Sequence, residues 1–165
     1  MTDSVRDRLK NSAITIAASL IKQFEGLYLS PYLSPYLSPA GIPTIGYGAT
    51  FYEDGTRVSL LDAKITAERA EALLLWMIRT QYLPSVQRLC PGIDNPSRLA
   101  ALIDFTFNLG SGALRSSTLR RKINQGQWGD VPYELRKWVK GGGRTLSGLV
   151  KRRNAEAKLI LVGPK

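Results

Sequence analysis

The chain has 165 residues, 44% hydrophobic and 22% charged, with a formal net charge of +10. That length supports one domain or two small lobes with a real core. Its longest apolar run, Ala13 to Ile21, is broken by Thr15 and Ser19 and lacks a small-residue cleavage site, so neither a membrane span nor a signal peptide is expected. The absence of histidine removes Ser-His-Asp and Cys-His chemistry and ordinary zinc sites, and the single Cys90 excludes an internal disulfide and points to a reducing compartment.

Ile14, Ala17, Ala18 and Ile21 recur at helical spacing, and Glu25 falls four residues further on the same face. A carboxylate that continues an apolar stripe is costly to bury unless paired or protonated. Gly26 supplies a stop, so Glu25 is predicted at the end of a first helix, facing inward. Next comes "YLSPYLSPYLSP", one tetrapeptide written three times from Tyr28 to Pro39 without an ionisable acid or base of ordinary pH range. A proline at every fourth position removes backbone donors and pushes the preceding serine toward extended conformations, so the segment is predicted as loop or irregular edge strand. "TIGYGATFYEDGTRVSL" predicts short strands over Thr44–Tyr47, Thr50–Tyr52 and Arg57–Leu60, with Asp54-Gly55 as a hairpin turn.

From Thr66 the pattern becomes helical. Thr66 is predicted to cap a helix whose core face is Ala70, Leu73, Leu74, Met77 and Ile78. Asn95-Pro96 opens another, ending at Gly110. Further helices are expected over Thr118–Gln125, over Val131–Lys140 with Gly141-Gly142-Gly143 as terminator, and from a Ser147 cap to Leu161. The expected architecture is α+β. Residues 12–65 form a first helix plus a small β-rich lobe and residues 66–165 a helical lobe, within a single domain of 1–165 whose interlobe cleft is the default ligand site. The charge is uneven. Residues 111–165 hold thirteen basic and three acidic residues, so the whole excess lies there. Such a half suits an anionic polymer, nucleic acid or an acidic surface, and equally a well-solvated helical surface.

On chemistry, the residues alone bring forward Glu25, the glycines Gly41, Gly46 and Gly48 that let backbone approach a ligand, and the Thr44 hydroxyl in the same turn. An inward carboxyl at a helix end can serve as the general acid of a glycosidase. It can equally be a structural carboxylate paired with Arg152 or Arg153.

Four segments narrow the choice. "FEGLYL", "YLSPAGIPTIGYGAT", "FNLGSGALRSSTLRRKIN" and "WVKGGGRTLSGLVKRRNAE", in this order and spacing, resemble the phage lysozyme (endolysin) family in its lambdoid-phage branch. The resemblance covers nearly the whole chain from Ile14. It implies a two-lobed α+β lysozyme-like fold and a muramidase that cleaves the bond from N-acetylmuramic acid to N-acetylglucosamine in peptidoglycan. It also implies the catalytic pattern of a Glu, then an Asp or Cys, then a Thr before the glycine turn. Glu25 and Thr44 match the first and last. Counting back from Thr44, the middle position is Ser38; counting forward from Glu25, it is Ser34. The two counts differ by one YLSP unit, as if one tetrapeptide were duplicated, and Ser38 is preferred because Pro39, Gly41 and Thr44 anchor it. A histidine usual in "GYGHT" is replaced by Ala49.

Tyr36, Gly46, Tyr47 and Asn108 are the expected substrate-binding positions. Tyr28, Tyr32 and Tyr36 either line the rim for sugar stacking or pack on the first helix. The reading implies no cofactor or metal, no nucleic-acid partner, no stable membrane insertion and a monomer. It places the protein in the host cytoplasm until a holin-type pore made by another protein admits it to the wall. Three rivals stand beside it: a lytic transglycosylase giving 1,6-anhydro products, a lysozyme-shaped peptidoglycan-binding module, and a cationic membrane- or nucleic-acid-binding protein.

Overall fold

The computed structural model describes residues 1–35 and 40–162. The chain divides into two compact units, Glu25–Thr80 and the remainder, Met1–Phe24 with Gln81–Lys165. This partition differs from the expected one at both ends. The first helix, α1 (Asp3–Phe24), begins well before residue 12 and belongs with the helical unit, because its buried stripe of Ala13, Ile14, Ala17, Ala18 and Ile21 packs on α4 (Pro96–Leu109). The helix after Thr66, α2 (Ala67–Met77), belongs with the β-rich unit, because it packs on β2 (Ile42–Gly46).

In the β-rich unit, β1 (Tyr28–Ser34) pairs antiparallel with β2 in the register Tyr28↔Gly46, Tyr32↔Thr44 and Ser34↔Ile42. Between Tyr28 and Tyr32 the register shifts: three residues of β1, Leu29 to Pro31, face the single residue Ile45. A bulge tolerates a proline where a regular ladder would not. The first YLSP copy is thus taken up as an irregular strand, as its proline demands. Leu29 turns its carbonyl away from the hairpin and accepts from Ile65 N–H at 2.9 Å. The strands expected over Thr50–Tyr52 and Arg57–Leu60 shrink to the isolated bridge Phe51↔Arg57. Asp54 caps its own turn, accepting from Thr56 N–H at 2.8 Å. Glu53 ties the turn to α2 through a two-pronged pair with Arg69 at 2.5 and 2.7 Å. Thr66 caps α2 as expected, accepting from Arg69 N–H at 3.0 Å.

In the helical unit, α4 is the axis. Every residue from Leu99 to Thr106 is buried, since α1, α3 (Leu83–Leu89), α5 (Ser111–Arg115) and α8 (Ser147–Leu161) pack around it. Asn95 caps it, with Oδ1 accepting from Arg98 N–H at 3.0 Å. Then come α6 (Thr118–Asn124), capped by Ser117, and α7 (Val131–Leu135). Two expectations fail here. The helix from Val131 stops at Leu135, and the glycine run is a hairpin turn: β3 (Lys140–Gly141) pairs with β4 (Arg144–Thr145) around Gly142 and Gly143, both at positive φ. Paired glycines at positive φ serve a tight hairpin as well as a helix stop. Nor does Ser147 cap α8. The cap position is Leu146, which makes no side-chain bond, and Ser147 is the first helical residue.

Candidate active site

Glu25 follows the last residue of α1 directly and is half-buried. The helix stops here because Gly26 follows, and Gly26 is needed small. A Cβ at that position would sit 2.9 Å from Cε2 of Tyr28, whose ring lies over it. Tyr28 in turn stacks on Tyr32, ring centroids 4.1 Å apart at 30°. Burial raises the Tyr32 hydroxyl above the usual tyrosine range, and the nearby Tyr28 and the charge of Glu25 raise it further. Tyr32 is therefore within electrostatic reach of Glu25, and it is the register partner of Thr44.

Thr44 is buried, and its Oγ1 donates to the Ile42 carbonyl at 2.8 Å. The hydroxyl proton is thereby committed, and the oxygen is left as an acceptor. Gly46 ends the strand at φ +66°, a backbone region that favours glycine. Its Cα lies so close to α2 that an added Cβ would be 3.5 Å from that of Ala70. Tyr47, half-buried, occupies the turn closed by the paired bonds between Ile45 and Ala49, each 2.9 Å. Ala49 is fully buried.

Glu25, Thr44, Gly46 and Tyr47 thus belong to one unit. Ser38 and Tyr36 lie outside the described residues. Ser34, the alternative to Ser38, is buried in β1 opposite Ile42. Asn108 belongs to the helical unit, where its Oδ1 accepts from Arg153 Nη2 at 2.7 Å. The β1–β2 hairpin, from Tyr28 through Gly46, contains no acidic residue.

Asn108 is part of a buried polar network between α4 and α8 that sequence reasoning did not assemble. Arg152 grips Asp104 with two bonds, Nε to Oδ2 at 2.9 Å and Nη2 to Oδ1 at 2.8 Å. Arg153 Nη2 also donates to Glu156 Oε1 at 2.8 Å, and Arg153 stands over the Phe105 ring. Burial, with the Asp104 carboxyl beside it, pushes Glu156 well above the usual carboxylate range. The available signal was Asp104 itself, a charge set between Ile103 and Phe105 in an otherwise apolar run.

The phage lysozyme family matches residues 22–156. An endolysin of Bacillus phage B103 is 37% identical over 145 residues, which cover 88% of this chain and 52% of that protein, so the chain spans about half the length of that relative. A SAR-endolysin of bacteriophage PS119 is 32% identical over 170 residues, covering 99% of this chain and 95% of its own. Among solved structures, the endolysin from Escherichia coli O157:H7 phage FAHEc1 is similar with a TM-score of 0.75 at 33% identity, over 91% of this chain and 94% of that one. The family match runs from Lys22 near the end of α1 across the hairpin and on to Glu156 in α8, and the chain accordingly belongs to the phage lysozyme family and has its α+β fold.

Proposed function

We propose that the chain is an endolysin that hydrolyses the β-1,4 bond between N-acetylmuramic acid and N-acetylglucosamine in bacterial peptidoglycan, causing host lysis. The observation that carries this reading is the joining of Glu25 to Thr44 through Tyr32, which feels the carboxylate and is the register partner of the threonine.

In this reading Glu25, protonated, donates to the glycosidic oxygen as the bond breaks. Positive charge then develops on the muramic sugar, a water adds to it, and the oxygen so bound loses its extra proton to solvent, from which the Glu25 carboxylate is reprotonated. Thr44 spends its hydroxyl hydrogen on a hydrogen bond to the Ile42 carbonyl, so it acts on that water only as an acceptor. A water that donates to Thr44 Oγ1 turns its lone pair away from the protein, toward the electron-poor carbon. Ser38 shares the positioning. Its hydroxyl is far too weak an acid to be the base, and water attacking a near-cation needs placement more than deprotonation. Tyr36, Gly46, Tyr47 and Asn108 contact the glycan in this scheme. No helix among the described residues is long and apolar enough to cross a membrane, and passage to the wall through a holin-type pore remains part of the proposal, as does a monomeric state.

One observation favours a second reading. Without an acid in the hairpin, the muramic 6-hydroxyl can take the place of water, giving a 1,6-anhydro sugar with Glu25 as sole acid and base. Mass analysis of muropeptides after digestion separates the two: reducing ends for hydrolysis, 1,6-anhydro ends for transglycosylation. Absence of both would leave a binding module.

A further inference from the structure

A pocket of about 600 Å³ opens in the helical unit beside the C-terminal ends of α3 and α6. Arg88, Arg120, Asn124 and Trp128 line it, with bare backbone at Gly92 and Gly126, where an added Cβ would meet nothing within 4 Å. None of its lining residues is acidic. The neighbouring carboxylate of Asp130 is already held by Lys122 at 3.0 Å.

Arg120 and Asn124 are preset. Arg120 Nε donates to the Leu89 carbonyl at 2.9 Å and Nη1 to the Arg115 carbonyl at 3.2 Å. Asn124 Nδ2 donates to the same Leu89 oxygen at 3.0 Å. These carbonyls fix the side chains without cancelling the charge. Arg88 has only a long contact to Ser85 Oγ at 3.4 Å. Among the described residues neither Arg88 nor Arg120 has a carboxylate partner. A third guanidinium, Arg98, lies 4.3 Å from the centroid of the Trp128 ring. A pre-positioned guanidinium such as that of Arg120 is suited to a planar carboxylate, and a fixed donor loses little freedom on binding, while the exposed Arg88 adds a second positive charge beside it.

We propose that this pocket anchors the protein to peptidoglycan by taking the carboxylates of its peptide arms. The proposal rests on the peptidoglycan reading above and adds to it a holding site that does no chemistry. It also concentrates in one place a tethering role that the basic C-terminal half otherwise spreads over its whole surface.

The test is co-sedimentation with purified insoluble peptidoglycan that carries no phosphate polymer, in a Glu25→Gln background so that the polymer is not consumed. Arg88→Glu, at an exposed position with one weak contact, is expected to weaken binding about tenfold. Arg144→Glu makes the same charge change on exposed β4 and is expected to change binding less than about twofold. Removing the peptide arms with an amidase should bring the unmodified pocket down to the Arg88→Glu level. Equal losses from both charge reversals would overturn the pocket in favour of diffuse charge. Undiminished binding to stripped glycan would overturn the carboxylate as ligand. Reducing-end release by the chain with Glu25 intact is scored separately. Binding that depends on Arg88 without any cleavage sinks the hydrolase and leaves the pocket; cleavage with Arg88-independent binding sinks the pocket alone.

Discussion

Tyr32 stands opposite Thr44 in the β1–β2 ladder, so the side chain that senses Glu25 and the side chain proposed to hold the attacking water are direct cross-strand neighbours. The hairpin register therefore sets how the acid and the water site relate, and a change in either strand is expected to reach both.

Glu25→Gln keeps the size and hydrogen-bonding capacity of the side chain but cannot donate the glycosidic proton. Turbidity loss of a peptidoglycan suspension should slow by at least about 10²-fold, the usual cost of losing a general acid. The thermal midpoint should stay near that of the unmodified chain. Comparable activity in the Gln variant would remove Glu25 from the mechanism.

The two serines separate cleanly. Ser38→Asp is expected to supply the family's missing carboxylate and raise the rate of reducing-end release without changing the bond cut. Ser34→Asp places a charge at a position only 6% exposed inside β1 and is expected to cost about 1–3 kcal/mol of stability with no gain in rate. Urea melts and product assays on the same preparations decide it. A strongly activated Ser34→Asp beside an inert Ser38→Asp would show that the forward count from Glu25 aligns the loop.

Salt offers an independent check on the basic half. If the charge from Arg115 to Lys158 tethers the protein, wall binding should fall steeply as ionic strength rises past the point where the screening length drops below about 10 Å. Hydrolysis of a short neutral chito-oligosaccharide should respond far less. Parallel responses in both assays would count against tethering.

Glu156 makes a stability prediction with a definite sign. Its carboxyl titrates higher folded than unfolded, because it is buried beside Asp104, so the folded state holds the proton more tightly. The contribution of this group is fully present below the unfolded glutamate range and is lost as pH rises toward the raised folded value. Glu156→Gln keeps an oxygen for the Arg153 Nη2 bond but cannot ionise. The variant and the parent should be about equally stable near pH 4, and the variant should gain steadily on the parent as pH rises above that until the folded value is passed. Denaturant titrations at pH 4, 5.5 and 7 measure the gap. A gap that shrinks as pH rises would mean that Glu156 is ionised in the native protein.

What the sequence showed depended on range. Thr66 and Asn95 act on backbone three residues away, and both caps were legible from local spacing. Glu25 was legible because an apolar stripe ran into it. The glycines at 141–143 were misread because a helix stop and a tight hairpin ask for the same residues, and only the Lys140↔Thr145 pairing decides between them. The Asp104–Arg152 grip spans 48 positions, and no local pattern reports a bond of that kind. The two possible serines were left unresolved by counting, because both ends of the loop offer a fixed point and the repeat lies between them.

That repeat has a consequence for how the hairpin can change. Its unit is four residues long, an even number, and neighbouring strand residues face opposite ways. Adding or deleting one unit leaves every tyrosine of the repeat two residues before a serine, as Tyr32 and Ser34 stand opposite Thr44 and Ile42. Removal of any of the three copies also yields the same polypeptide. The segment is a ruler with identical markings: a change of length in tetrapeptide steps leaves the order of side chains along it the same.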